Sequence, residues 1–299
     1  MGGVCYNRLM FEVKKVKTKD NDFLNFARQS DKSIKELYYM GQLPGRRMPA
    51  VAIVGSRKPT RYGKEVTLKL AESLARRGVV VVSGLALGHD ALAHQGALNG
   101  GGVTIAVLGT PLPKITPATN RALGEQILQS GGAILSEVDE ASHGGKIFYK
   151  TTFLHRNRIV AALADVIVVV EANRYSGTLN TVSHALAQGK EVMAVPGNVT
   201  SPLSEGCNRL VQQGATPLLE LADVLEKLGL TDEDKELLKV KFADKNEEKV
   251  YGLISEGIRG GDELQERSGI DPAEFNMTLT MLEIKGVIRN LGANNWGIK

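Results

Sequence analysis

A cluster of cationic side chains follows the first buried-strand pattern of the chain. An apolar run at 51–54 stops at a glycine, and a helical pattern begins a few residues later, so the loop between them ends at a helix N-terminus. Backbone amides at a helix start bind anions, as do arginine and lysine side chains. The sequence therefore predicts an anion site without a reacting group. Its residues are Gly55, Ser56, Arg57, Lys58 and Arg61.

Two common nucleotide sites are excluded by the residues that they require. A dinucleotide site needs G-x-G-x-x-G after the first strand and an acid near the end of the second, but the first loop reads GSRKPTRYG and the second strand ends in Ser83-Gly84. A phosphate-binding P-loop needs G-x-x-x-x-G-K followed by serine or threonine, and the closest pieces, at 145–147 and 189–191, lack the hydroxyl residue. We therefore expect no cofactor.

A second loop is expected beside the first. Val66, Leu70 and Leu74 mark one face of a helix after the first loop, and the next buried strand, 79–82, runs into Gly84. Two parallel strands joined by a helix place both loops at the carboxyl edge of the sheet, where open α/β sheets bind ligands. The sequence therefore predicts that Gly84 lies at the anion site.

Two arginines stand where a long loop enters a later helix. Arg156 and Arg158 flank an asparagine in the segment 153–159. Each has two open interpretations: it braces the sheet edge against a carboxylate such as Glu171 or Glu137, or it faces phosphates at the same edge as Arg57.

A further loop with anion-binding character follows the most apolar strand. Residues 171–178 open a helix, and their amides and hydroxyls form either a second anion cradle or an ordinary helix cap. The candidates are Ser176, Gly177 and Thr178.

Catalytic constellations are poorly represented. The five histidines include no two at helical ligand spacing with a nearby set of carboxylates, and His89 and His94, five residues apart, do not fall squarely on one helical face. No G-x-S-x-G nucleophile elbow occurs. We therefore expect no metal site and no enzymatic activity.

Composition indicates the size and compartment. The 299 residues are 42% apolar and include 33 glycines, which suits a buried sheet with tight turns. Two cysteines cannot staple such a chain, and the longest apolar run, 159–170, is interrupted by Asp165 and too short for a bilayer. Without a signal-peptide pattern, we expect a cytoplasmic protein with no membrane insertion. The net charge of +4, with 10 basic against 5 acidic residues in 1–49, permits nucleic-acid binding.

The pattern of elements predicts an α/β protein with a second, smaller domain. From 50 to 230, near-continuous valine, isoleucine and alanine strands alternate with helices, which indicates a parallel-rich sheet covered on both faces. Residues 1–49 are predicted as an N-terminal extension, with a basic tail or short strand and then one or two short helices over 22–40. A charged linker, 231–245, precedes a unit at 246–299 whose three helical patterns and terminal hairpin follow winged-helix order.

Eight separated motifs together resemble the DNA-processing protein A family (DprA, also called Smf). They cover roughly 34–228 in the family's order: VGSR at 54–57, SGLA at 83–86, AVLGT at 106–110, SE at 136–137, RNRI at 156–159, VEA at 170–172 with Ser176-Gly177, AVPG at 194–197 and GCN at 206–208. The C-terminal unit is similar to the small winged-helix domain that many members carry. His89 departs from the isoleucine that is usual at its position.

The resemblance implies an extended Rossmann-like domain that binds single-stranded DNA as a homodimer and hands it to the RecA recombinase in natural transformation. The front of the chain is shorter than the helical N-terminal domain of many members, so we expect a partner function located there to be missing. The complete set of candidate DNA-binding residues adds four positions. They are Lys114, Arg121, Lys150 and Phe153.

Two other functions remain open on the same fold. A nucleotide phosphoribohydrolase-like enzyme would carry P-G-G-x-G-T-x-x-E, but Thr181 stands where that signature has its acid. A nucleotide-binding sensor would use the same loops for a small ligand. The balance of 7 basic to 9 acidic residues in 245–299 favours a protein-contact or packing role for the winged helix over duplex binding.

Overall fold

The computed structural model describes residues 11–138, 150–230, 244–255, 258–285, 287–292 and 294–298. The chain divides into two units, Met1–Leu238 and Lys239–Lys299. Within the described residues, no helix is both long enough and apolar enough to cross a membrane.

Nine strands of the first unit form one sheet. They are β1 (Lys14–Lys17), β2 (Glu36–Gly41), β3 (Ala50–Val54), β4 (Val80–Ser83), β5 (Thr104–Leu108), β6 (Ala133–Ser136), β7 (Val166–Val169), β8 (Glu191–Ala194) and β9 (Thr216–Pro217). Their order is β1-β2-β6-β5-β4-β3-β7-β8-β9. The pairs β1-β2 and β2-β6 are antiparallel, and all other neighbours are parallel. The predicted Rossmann-like α/β class with a parallel-rich sheet is confirmed.

The central strand shows why the sheet is buried on both faces. Ala50, Ala52 and Val54 of β3 pack into the core on one face, and Val51 and Ile53 pack into the core on the other. All five are at most 6% exposed. Each fully buried valine or isoleucine side chain stabilises the fold by about 1.5 to 3 kcal/mol. Because both faces of this strand are buried, its sequence is continuously apolar.

Helices cover the two faces of the sheet. They are α1 (Asp22–Ser30), α2 (Arg61–Arg76), α3 (His89–Asn99), α4 (Arg121–Gln129), α5 (Lys150–Leu163), α6 (Thr178–Ala187), α7 (Glu205–Gln212) and α8 (Leu221–Lys227). One core layer holds Phe23 of α1 and Ile159 of α5, and the other holds Leu74 of α2 and Ala97 of α3.

Of the one or two short helices predicted over 22–40, one is present at Asp22–Ser30, and a helix in the second half of the segment is not. Residues Glu36–Gly41 form strand β2, which pairs with β1 on one side and β6 on the other. The spacing of Ile34, Leu37 and Tyr38 suits a helix, but strand pairing with the open side of β6 overrides local pattern. Phe23 and Leu37 belong to the main core, so this segment is built into the sheet domain.

The described residues of the second unit form three helices and a hairpin. They are α9 (Lys245–Ser255), α10 (Gly261–Ser268), α11 (Pro272–Ile284), β10 (Ile288–Gly292) and β11 (Asn295–Ile298). Asp271 caps α11 by accepting the Ala273 N–H at 3.0 Å, as the Asp-Pro pair predicts. The core of this unit contains Phe275, Leu282 and Trp296. The predicted winged-helix order is confirmed.

Candidate nucleic-acid interface

Four neighbouring parallel strands end at one edge of the sheet. These are β5, β4, β3 and β7, and the loops that follow them carry most of the candidate residues. At about 4.8 Å between strands, the edge from β5 to β7 is about 14 Å long. The loop after β3 lies in the middle of this edge.

Exposed cations mark that central loop. Arg57, Lys58 and Arg61 are exposed. Within the described ranges, neither Arg57 nor Lys58 has an ion pair with a carboxylate. Two unpaired charges beside a helix start are available to a negatively charged ligand. We call residues 55–61 the cationic loop.

Three backbone amides of the cationic loop already have acceptors within the protein, which corrects the prediction of free amides at these positions. The Ser56 N–H donates to the Glu171 carbonyl at 2.8 Å, and the Lys58 N–H donates to Ser56 Oγ at 3.1 Å. The Thr60 N–H donates to Glu171 Oε2 at 2.9 Å, while Thr60 Oγ1 accepts the Gly63 N–H at 3.1 Å. The amides of Ser56, Lys58 and Thr60 therefore already have acceptors, as does that of Gly63 in the first turn of α2, so at these positions the loop offers a ligand its side-chain cations.

The loop after β7 also satisfies its own amides. Ser176 Oγ accepts the Thr178 N–H at 3.2 Å, and the Ser176 N–H donates to the Asn173 carbonyl at 3.2 Å. The Tyr175 N–H donates to Asn173 Oδ1 at 3.1 Å. Ser176 therefore binds the first amide of α6, while the N-cap position itself is Gly177, without a side-chain cap. Gly177 is exposed.

Arg156 is buried under the loops after β4 and β5, so it does not face solvent at this edge. Its Nη1 donates to the Gly84 carbonyl at 2.7 Å and also to the Val107 carbonyl. A Cβ at Gly84 would overlap the guanidinium, which explains the glycine. Burial raises the pKa of the Asp90 carboxyl, and the charge of Arg156 opposes that rise. Arg156 therefore braces this edge, which corrects its assignment as a phosphate contact.

Arg158 is also a brace. It is 7% exposed and pairs with Glu137 and, at 3.2 Å, with Asp31 Oδ2. Glu137 was one of the two carboxylates predicted for such a brace. Its guanidinium is committed to two carboxylates, so Arg158 is likewise removed from the set of free cations.

The remaining candidates are distributed along the edge. Lys114 is exposed in the loop after β5, whereas Arg121 pairs with Glu125 at 3.0 Å within α4. Phe153 is half-buried against Gly109, where an added Cβ would lie 3.1 Å from the Phe153 ring. Helix α5 begins at Lys150, whose side chain falls outside the described part of the chain.

Sequence reasoning missed a buried polar network at the same edge. His89 Nε2 lies 3.0 Å from Glu171 Oε2, and the Thr60 hydroxyl donates to the same carboxylate. His89 Nδ1 lies 2.6 Å from Thr67 Oγ1. Of the two carboxylates predicted for an arginine brace, Glu137 has that role, whereas the partner of Glu171 is a histidine. The departure of His89 from the usual isoleucine was the available signal.

A second buried histidine, His94, is held in its neutral form. Its Nδ1 lies 2.7 Å from Thr104 Oγ1, whose hydroxyl donates to the Val81 carbonyl at 2.8 Å. Nδ1 must therefore carry the proton, and Nε2 has no partner among the described residues. Burial lowers the pKa of His94 to about 3, and the charge of Arg156 adds to the lowering.

We expect His94 to make the protein sensitive to acid. Its pKa of about 3 in the fold lies below the value of about 6.5 for an exposed histidine, so the unfolded chain takes up the extra proton first as pH falls. The stability due to neutral His94 is complete above about pH 6.5 and is lost towards pH 3, at up to about 1.4 kcal/mol per pH unit. Urea unfolding from pH 4 to 7 measures it. The glutamine of His94→Gln does not titrate, so the difference in free energy of unfolding between the two proteins should change with pH. A difference that is the same at every pH would contradict the assignment.

The fold and this edge define a class: a Rossmann-like domain with a cationic loop at its ligand-binding edge, followed by a winged helix. Within the described residues, no three His, Cys, Asp or Glu side chains are grouped to hold a metal ion. The chain belongs to the DNA recombination-mediator protein A family, whose model matches residues 14–229. A second family model, the DprA winged helix domain, matches residues 241–294.

Similar proteins and solved structures support the same family assignment. DNA processing protein DprA of Streptococcus pneumoniae is 40% identical over 189 residues, which is 63% of this chain and 65% of that protein. Protein Smf of Escherichia coli is 41% identical over 192 residues, which is 64% of this chain and 50% of that protein. The chain thus spans about half to two thirds of the length of these relatives.

Two solved structures of the family superpose on most of the chain. The X-ray structure of S. pneumoniae DprA has a TM-score of 0.63 and 35% identity, covering 73% of this chain and 74% of that one. The Helicobacter pylori DprA structure, described for its single-stranded DNA binding mode, has a TM-score of 0.62 and 32% identity, covering 73% of this chain and 96% of that one.

Proposed function

We propose that this protein binds single-stranded DNA along the β5-β4-β3-β7 edge and acts by binding rather than by catalysis. The observation that carries the proposal is the pair of exposed cations without carboxylate partners, Arg57 and Lys58, in the cationic loop. Arg61 at the start of α2 and Lys114 on the loop after β5 extend the same charge along the edge. Cations that follow a backbone of phosphates are what strand binding without sequence preference requires.

Exposed aromatic side chains complement these cations. Tyr62 is 51% exposed and Tyr175 is 86% exposed, on the first turn of α2 and the loop after β7. Stacking of a base on such a ring contributes about 1 to 3 kcal/mol and accepts every base. We infer that the strand is held by phosphate contacts at the cationic loop and by base stacking on either side, with half-buried Phe153 as a third platform.

Membership of the recombination-mediator family supports the finer steps of the proposal. We propose that the protein acts in the cytoplasm as a homodimer, protects single-stranded DNA that enters during transformation, and passes it to RecA. The winged-helix unit is proposed to contact protein. Its α11 exposes Met277, Met281 and Ile284 on one side, where a duplex reader would carry cations.

A salt series tests the binding proposal. If each of the four cations neutralises one phosphate, the log-log slope of affinity against salt is about −3, at about −0.7 for each phosphate. These cations are Arg57, Lys58, Arg61 and Lys114. Mobility shifts of the full chain with single-stranded and double-stranded DNA of one sequence measure both slope and preference. Equal affinity for the two forms, or a slope near zero, would reject single-strand binding at this edge.

A further inference from the structure

A buried histidine and glutamate connect the elements that hold the cationic loop. The His89 side chain is 0% exposed and that of Glu171 is 4% exposed. An added Cβ at Gly55 would overlap the His89 ring, and one at Gly63 would overlap the Glu171 carboxylate. The pair thus packs directly against both ends of the loop and the first turn of α2. His89 comes from the start of α3 and Glu171 from the loop after β7.

The hydrogen bonds on one side of His89 identify the protonated ring nitrogen. Thr67 Oγ1 lies 2.7 Å from the Gly63 carbonyl and 2.6 Å from His89 Nδ1. A hydroxyl has one hydrogen, and a carbonyl oxygen can only accept, so the Thr67 hydrogen goes to Gly63. The contact with Nδ1 then needs a hydrogen on the ring. Nδ1 therefore donates to Thr67.

The hydrogen bonds on the other side leave one more proton to be placed. Glu171 Oε1 accepts the Thr60 hydroxyl, and Oε2 accepts the Thr60 N–H at 2.9 Å. His89 Nε2 lies 3.0 Å from the same Oε2. With Nδ1 already protonated, a neutral ring would point a lone pair at a carboxylate unless one further proton lies between them. That proton belongs to the pair, since imidazolium with carboxylate and imidazole with carboxylic acid have the same proton count.

We propose that His89 and Glu171 share one proton and act as positioning residues that hold the cationic loop in its DNA-binding shape. The proposal rests on single-strand binding at this loop. The connection runs through Thr60, which caps α2 and whose amide and hydroxyl both donate to Glu171. Arg57 stands three residues before this cap, so movement of Thr60 displaces the cation that we place against phosphate.

The charged surroundings of the pair are few. Asp90 on α3 is the other carboxylate that acts on His89, and Arg156 on α5 faces Asp90. The hydroxyls of Thr60, at the cap of α2, and of Thr67, within α2, contact the pair. Two further titratable groups interact with Glu171: the phenol of Tyr62 on α2 and the buried thiol of Cys207 on α7. Burial lowers the pKa of His89, while the hydrogen bond and charge of Glu171 oppose the change. Glu171 therefore offsets part of the cost of burial, and the pKa of His89 stays below its ordinary value.

Either change in proton number disrupts the arrangement. Loss of the shared proton sets the Nε2 lone pair against the carboxylate, which then withdraws from Thr60. Gain of a second proton puts a hydrogen on the carboxyl group that competes with the two Thr60 donors. We therefore expect strand affinity to be greatest over a middle range of pH and to fall on both sides of it.

Nitrogen-15 NMR of the histidine side chains tests the shared proton without DNA. In the free full chain at pH 7, we expect His89 Nδ1 to be protonated. We also expect the proton between Nε2 and Glu171 to have a strongly shifted resonance, because the two groups share it. In Glu171→Gln that shifted signal is lost. An unprotonated Nδ1 in the wild-type chain, with Thr67 donating to it, overturns the proposal.

Fluorescence anisotropy with a labelled oligo-dT tests the positioning role. Affinities are measured from pH 6 to 9 at fixed ionic strength for the wild type, Glu171→Gln and the control His94→Gln, whose histidine lies in the same helix but does not touch Glu171. We expect Glu171→Gln to bind about tenfold more weakly at pH 7 and to lose the wild-type pH profile, which His94→Gln keeps. A wild-type profile in folded Glu171→Gln overturns the proposal.

A second pair of variants keeps the test decisive if Glu171→Gln does not fold by circular dichroism. Thr60→Ser keeps the hydroxyl that reaches Glu171, and Thr60→Val removes it. We expect wild-type affinity and pH profile from Thr60→Ser and about tenfold weaker binding from Thr60→Val. Equal affinities for the two overturn the positioning role. If the wild type itself does not bind single strands, single-strand binding is refuted, while the NMR result still decides the shared proton.

Discussion

Replacing Arg156 with methionine is expected to destabilise the protein by about 2 to 6 kcal/mol, because two buried carbonyls lose their donor at about 1 to 3 kcal/mol each. The substitution leaves Asp90 buried without its opposing charge and leaves the carbonyls of Gly84 and Val107 without their donor. Urea unfolding followed by circular dichroism at pH 7 measures the change.

A matched control separates this effect from loss of any arginine. Arg121→Met removes an exposed ion pair with Glu125, which is worth about 0 to 1 kcal/mol. Adding Asp90→Asn to the Arg156 variant should restore part of the lost stability, because the uncompensated acid is gone. A stable Arg156→Met protein with weakened strand binding would instead return Arg156 to the set of DNA contacts.

Replacing Arg57 with alanine is expected to weaken single-strand binding between about tenfold and a hundredfold without changing stability. The guanidinium is exposed and has no carboxylate partner in the described chain, so the fold loses nothing when it is removed. A charge-assisted hydrogen bond to phosphate contributes about 1.5 to 3 kcal/mol, and each 1.4 kcal/mol is a factor of ten in affinity. Anisotropy titration with oligo-dT gives the affinity, and the salt slope should become less negative by about 0.7.

Lys69→Ala is the control for the Arg57 variant. Lys69 lies on the exposed face of α2 and is paired with Glu65 at 2.8 Å, so it carries similar charge in the same element away from the edge. We expect a smaller loss of affinity from this variant. Equal and negligible losses from both variants would remove the cationic loop from the binding site. If Arg57→Ala does weaken binding, Arg57→Lys shows whether charge alone is required.

The arginines of segment 156–159 show where sequence reasoning ends. Two neighbouring cations in a loop-to-helix stretch suit phosphate binding and bracing equally well, since either role needs the same side chain. Burial and partners decide between them. Arg158 forms ion pairs with Glu137 and Asp31. Arg156 donates to backbone carbonyls and interacts electrostatically with Asp90. Those partners are 21 or more positions away along the chain, beyond any local pattern.

The same limit applies to the loop amides and to His89. Glu171 reaches Thr60 across 111 sequence positions and His89 across 82, so the occupation of the loop amides is a tertiary fact. From one sequence, a histidine at the start of a helix is compatible with packing, ligation or proton exchange alike.

The sequence alone is enough to predict the class of fold, the edge of the sheet at which we propose the site, and the loop cations, which the structure shows to be exposed. Those follow from hydrophobic period and from the rule that parallel strands joined by helices end at one edge. What only the tertiary structure decided is that Glu36–Gly41 is a strand, that Arg156 and Arg158 are braces, and that His89 and Glu171 lie in contact. The reason is physical: a local pattern records which face of an element is apolar, whereas the partner of a buried charge or of an open strand is chosen by packing between distant segments.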